Sequence, residues 1–282
     1  MVFVGRGRVG FLRERSERGK EVLPIELFFD LVYVLAVTQL THYLLEHLSP
    51  RGAVETLTLL LVVWGAWIHV AWTANYFDVG TRPMRLGLLV MMLLSLVMSA
   101  SIPAAFAGRG LVFAGAVTAI LGGWSLLLNV AIGAGHHLRP VFSRVLFWEV
   151  VTSALLLAGG LAQGDVRLAL WLLGVGAIYV AMWMGFPVPG RGRNLTSDYT
   201  ISGEHLAHRC LLFVILALGE SILVTGAAFG ALPGSGETTA AFVVGLNLRA
   251  DTFGQRGNRS GCLIEAGITH GPLGGHEGGT SA

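Results

Sequence analysis

The sequence predicts an all-α fold: a polytopic transmembrane bundle of about seven spanning helices plus an incomplete eighth. Three observations lead there. The chain of 282 residues is 54% hydrophobic and 13% charged, with a mean hydropathy of +0.68, which is more apolar side chain than a soluble core encloses, so its solvent is the bilayer. Apolar runs near the ~20 residues needed to cross ~30 Å of hydrocarbon recur along it. Lys and Arg gather in alternate connections, as they do when positive residues resist translocation.

The elements follow in order. Residues 1–21 hold Arg6, Arg8, Arg13, Arg15, Arg18 and Lys20 with no apolar stretch, which reads as a basic cytoplasmic arm rather than a cleaved signal. The first helix, at about 24–45, then serves as the insertion signal. The second is expected at 54–77 after Arg51, the third at 86–107 after Arg82 and Arg85, and the fourth at 111–132 after Arg109. The fifth is expected at 145–162 after Arg139 and Arg144, the sixth at 166–186 beside Arg167, and the seventh at 207–229 after Arg191 and Arg193. Counting the arm and the even-numbered turns against the odd-numbered ones gives twelve basic residues against three, which predicts a cytoplasmic amino terminus.

An eighth span starts at Thr238 and loses its apolar character after Leu246, so the bundle is bounded at 22–248. Residues 249–282 are polar and glycine-rich and read as a disordered tail. A truncated or frameshifted product would look like this, and a naturally short tail is the alternative. Cys210 and Cys262 have no ligand spacing and read as unpaired, and the net charge of +2 gives no footprint for nucleic acid.

Pro24 to Val34 (PIELFFDLVYV), Asn75 to Leu86 (NYFDVGTRPMRL), Gly110 to Ile120 (GLVFAGAVTAI) and His205 to Ile222 (HLAHRCLLFVILALGESI) together resemble the bacterial low temperature requirement A (LtrA-like) membrane proteins over about residues 22–245. The resemblance implies a multi-pass topology and brings no biochemical activity with it. His208-Arg209 stands where that family usually has Glu-Arg, and the family usually continues through further spans.

Ionisable groups at membrane depth cost a few kcal/mol each, so they face the bundle interior, pair, or line a pathway. The candidates are Glu26, Asp30, Gln39, His69, Glu149, Arg209 and Glu220. Glu26 and Asp30 share a helical face with Tyr33, Val37 and Leu40, with Asp30 roughly 10 Å in. Glu149, Arg209, His69, Asn75 and Asn129 fall in the same cytoplasmic half, and Arg209 is expected to approach Asp30 or Glu26 because a lone buried charge is costly. The group either ties helices together or lines a cavity for an ion, proton or small solute. Glu220 lies past the midplane, where Leu216 to Glu220 echoes Leu35 to Gln39 and suggests an internal duplication.

Other signals are weaker. Glu204, His205 and His208 could share an ion, but interfacial histidines are commoner and the order is not that of zinc proteases, so no metal or cofactor is expected. Trp72, Tyr76 and Trp148 suit an interfacial belt, whereas Trp64 and Trp124 are expected between helices. Gly160-x-x-x-Gly164 and Gly226-x-x-x-Gly230 permit close helix contact, and the acceptor pattern Asn194-Leu195-Thr196 falls on the cytoplasmic side. No phosphate loop, nucleophile elbow or zinc-hydrolase motif occurs, so an enzyme is the less expected reading. A carrier of protons or cations, with Asp30 and Glu220 as the acids expected to take part, is the first functional expectation. A non-transporting scaffold or stress-adaptation protein acting through partners is the second, with the lipid bilayer the one partner composition implies.

Overall fold

The computed structural model describes residues 23–78, 81–133, 135–195, 203–231 and 244. The basic arm over 1–21, the tail over 249–282 and the incomplete eighth span, Val244 apart, lie outside the described residues.

Seven α-helices follow one another among the described residues: α1 Pro24–Glu46, α2 Pro50–Ala74, α3 Arg82–Ser101, α4 Gly110–Ile132, α5 Arg139–Leu161, α6 Gly164–Trp183 and α7 Gly203–Ala231. A 3-10 turn, Ile102–Ala104, extends α3, and an isolated bridge joins Val188 and Gly192. All seven are long and apolar enough to cross a membrane. The chain divides into two compact units, Met1–Ala217 and Leu218–Ala282; the first holds α1 to α6 and the amino-terminal half of α7.

Several helices begin one to two turns before their apolar runs, at 50, 82, 139 and 203 rather than 54, 86, 145 and 207. An apolar run marks only where hydrocarbon begins, whereas the backbone needs its first turn satisfied. Proline, which has no N–H to leave unpaired, occupies the first turn of α1, α2, α3 and α5. The Gly52 N–H donates to Ser49 Oγ at 3.0 Å to cap α2, and the Leu23 N–H donates to Glu26 Oε2 at 3.0 Å at the head of α1. Three helices also end earlier than expected, at 74, 101 and 183. Tyr76, Phe77, Ala105 and Phe186 stay apolar and buried in non-helical turns, so composition ran past the helix.

In the first unit, α4 packs between α3 and α5, α5 against α6, α1 against α2 and α3, and α2 against α4 and α6. The interior is built around Phe29, Trp67, Phe113, Trp124, Phe142 and Trp171, all fully buried. Leu89, Val90, Leu93, Leu96 and Val97 on α3 point outward, a large apolar surface that lipid rather than water accommodates. Trp64 departs from expectation: it tilts against Trp67 at 4.9 Å but remains 40% exposed at the bundle surface, while Trp124 is fully enclosed.

The two glycine spacings behave differently. A Cβ on Gly160 would sit 3.1 Å from the Gly110 carbonyl oxygen, so glycine lets α4 and α5 touch there. Gly164 makes no such contact; its φ of 57° turns the chain into α6. Gly226, in the second unit, has open space beside it, and the Gly230 side of that spacing lies outside the described residues.

Candidate functional site

Starting α1 at Pro24 puts Glu26 and Asp30 one turn apart on the buried face. Arg209, early in α7, reaches both. Its Nη2 donates to Asp30 Oδ1 at 2.9 Å, its Nε to Oδ2 at 3.2 Å, and its Nη1 to Glu26 Oε1 at 3.5 Å. All three residues are 0% exposed. The indole Nε1 of Trp67 on α2 donates to Asp30 Oδ1 at 2.8 Å, and the guanidinium lies 5.6 Å from the centre of the Phe29 ring. The planar guanidinium is suited to this, since its fork matches a carboxylate and its faces accept an aromatic neighbour. The donors converging on Asp30 join α1, α2 and α7 and leave its carboxylate little capacity for another ligand.

The second polar centre is built differently. His69 on α2 and Glu149 on α5 meet with Nδ1 to Oε1 at 2.9 Å, and Ser125 Oγ on α4 lies 3.2 Å from His69 Nε2. Ser125 thereby holds the ring, and the proton position on it sets which partner donates. Glu149 is 2% exposed, yet its Oε2 has no hydrogen-bond partner among the described residues. That carboxyl stands on the wall of a cavity of about 420 Å³ among α2, α4, α5 and α6, whose lining is otherwise largely apolar and includes Leu61, Trp72, Leu121, Val175 and Tyr179. A buried carboxyl with one oxygen satisfied and the other without a partner, on a residue that lines a cavity, is the arrangement a ligand or proton completes.

The remaining candidates take other places. Asn129 is buried, its Nδ2 donating to the Ser125 and Phe142 carbonyls at 2.9 and 3.4 Å, and Asn75 is buried with its Nδ2 unpartnered among the described residues. Gln39 is half-buried on α1, and Glu220 is half-buried on α7 within the second unit. His208 is exposed, the side chains of Glu204 and His205 lie outside the described residues, and no metal-holding cluster of three or more His, Cys, Asp or Glu occurs among the described ones. Asn194 is buried, its Oδ1 accepting from Arg144 at 2.8 Å, which removes it as a glycosylation acceptor on steric grounds. Cys210 is a free thiol; Cys262 lies outside the described residues.

Sequence reasoning missed three features. Glu55 is buried at the opposite end of the bundle, accepting from Tyr43 at 2.6 Å and Arg51 at 2.9 Å, while Arg51 also meets Asp165 at 2.7 Å. The spacing of Arg51 and Glu55, four apart, was the available signal. Arg167 was read as a turn residue but is buried and donates to the carbonyls of Ala105, Ala107, Gly159 and Ala162 at 2.7–3.2 Å. It gathers the carboxyl ends of α3 and α5, where orphan carbonyls and the helix dipole favour a cation. Buried hydroxyls also cross-link helices, Ser95 donating to Tyr33 at 3.0 Å and Trp124 to Thr73 at 2.6 Å. Single hydroxyls in apolar helices carry no pattern that marks them beforehand.

A family model described as Bacterial low temperature requirement A protein (LtrA) matches residues 21–253. A curated relative, an uncharacterized protein of Rhizobium meliloti (strain 1021), is 36% identical over 215 residues, covering 76% of this chain and 52% of the relative. The chain thus spans about half the length of that relative. No solved structure matches.

Proposed function

The chain belongs to the bacterial low temperature requirement A family of membrane proteins, and on that premise we propose that it is a proton-linked membrane carrier whose exchanging groups are His69 and Glu149. The observation that carries this reading is the half-satisfied Glu149 carboxyl on the wall of the 420 Å³ cavity. A carboxyl and an imidazole in hydrogen-bond contact hold one proton between them and give it up when a solute enters the cavity, which is the step coupling requires. Asp30, in contrast, is held by the Arg209 fork and Trp67, so its part is to fix three helices around the site. In this reading the amino terminus and the turns carrying Arg82, Arg139 and Arg191 face the cytoplasm, and the membrane is the bacterial plasma membrane.

The test is the 282-residue chain in proteoliposomes with an internal pH indicator, screened with inorganic cations, amines, organic acids, amino acids and sugars. A solute that moves protons in the wild type but not in Glu149→Gln is expected. No such solute in any class would remove the carrier reading. The closed Glu26–Asp30–Arg209 group favours a second reading, a membrane scaffold acting through partners, and that reading would then stand.

A further inference from the structure

We infer that the cavity holds an amphipathic organic amine, a molecule with one ammonium group on a mainly apolar body, seated with its ammonium on Glu149; this rests on the carrier reading of the same site. Exclusion leads to that class. A hard metal cation takes about six oxygen ligands, and the side chains lining this cavity supply oxygens only from Glu149, Thr152 and Tyr179. The last two already donate to the carbonyls of Gly174 and Leu61, at 3.5 and 3.0 Å. A wholly apolar occupant would leave Glu149 Oε2 without a donor. An anion would meet that carboxyl, and a zwitterion would find no buried cation on the wall for its negative end except His69, which is already engaged on both nitrogens.

An ammonium satisfies what is left. It donates to Oε2, and its apolar body lies along Leu61, Leu121 and Val175. The volume, about 420 Å³, falls within the roughly 300–1,000 Å³ of small-molecule pockets. Binding and proton release are one exchange: the carboxylic acid of Glu149 gives up its proton, the ammonium takes its place as counter-ion, and the net charge of the site is unchanged. An amine entering from one side therefore displaces a proton, which is the coupling step the carrier reading needs.

The test is equilibrium binding of radiolabelled 2-phenylethylamine to the full chain in lipid nanodiscs, corrected with empty nanodiscs, beside its neutral counterpart 2-phenylethanol. Saturable binding of one amine per chain is expected, with about one proton released per amine in weakly buffered solution and at least tenfold weaker binding of the alcohol. Glu149→Gln should weaken the amine at least tenfold. Leu121→Trp, which fills the apolar wall without touching the carboxyl, should do the same and decides the matter if Glu149→Gln does not fold. Absence of saturable amine binding, equal binding of amine and alcohol, unchanged binding in the folded variants, or binding without proton release would each overturn the inference. If another solute class moves protons while the amine does not bind, the carrier reading survives and the amine class is wrong. If the amine binds at Glu149 but no solute moves protons, the reverse holds.

Discussion

Arg209 and Asp30 form an ion pair from which water is excluded, and such pairs are valued by what remains when one partner is removed. Asp30→Asn leaves the guanidinium with Glu26, at 3.5 Å, as its one counter-charge among the described residues, and should lower stability by ~3–5 kcal/mol. Urea unfolding of the purified protein in detergent checks this. Combined with Arg209→Gln, the same change should cost clearly less than the two single changes added together, because no uncompensated charge stays buried. Trp67→Phe keeps the ring against Phe213 but removes the N–H donated to Asp30, with an expected loss of ~1.5–3 kcal/mol in the same measurement. Glu26, Asp30 and Arg209 could be picked out beforehand because charge in an apolar run is conspicuous. Trp67 could not, since an indole in such a run looks like any other large apolar side chain until its N–H is seen to point at a carboxylate.

The helices are held at their ends as much as along their faces. Arg167 draws the carboxyl end of α5 and the turn after α3 onto one guanidinium. Arg167→Met would keep the apolar stem while leaving those carbonyls without their donor, at a cost of at least ~2 kcal/mol, with Arg167→Lys recovering part of it. Thermal denaturation of the three proteins in one detergent tests the order. Gly160 and Gly164 separate packing from backbone geometry. Gly160→Leu should push α4 from α5 and cost ~1–3 kcal/mol or more, whereas Gly164→Ala should cost ~1–2 kcal/mol through the left-handed conformation alone. A larger residue than Ala at 164 should therefore add little further loss, and at 160 each added carbon should add more. The sequence spacing of the two glycines suggested one shared role; the positive φ of Gly164 assigns them two.

Across the whole molecule, orientation is the property most easily checked. Single cysteines placed at Ser49 and Arg109, in a background where both native cysteines are replaced, should react with an impermeant maleimide added to intact cells. Cysteines at Thr81 and His137 should react only after the cells are opened. The opposite pattern would place the twelve-residue positive side outside and reverse the proposed direction of the bundle.

Spans, their number and the alternation of basic turns follow from the sequence by itself, because the bilayer imposes one length and one polarity on anything that crosses it. Composition and periodicity can read that constraint directly, and the family resemblance rests on residues of the same spans and of the turn between α2 and α3. Which polar groups meet was decided only in three dimensions. Asp30 and Glu149 are both carboxyls inside apolar helices, and nothing local distinguishes them; one is closed by Arg209 and Trp67 while the other lines a cavity and keeps one oxygen without a partner among the described residues. That difference depends on the packing of α2, α4, α5, α6 and α7 around residues up to 179 positions apart, and such distances leave no mark in a periodic pattern.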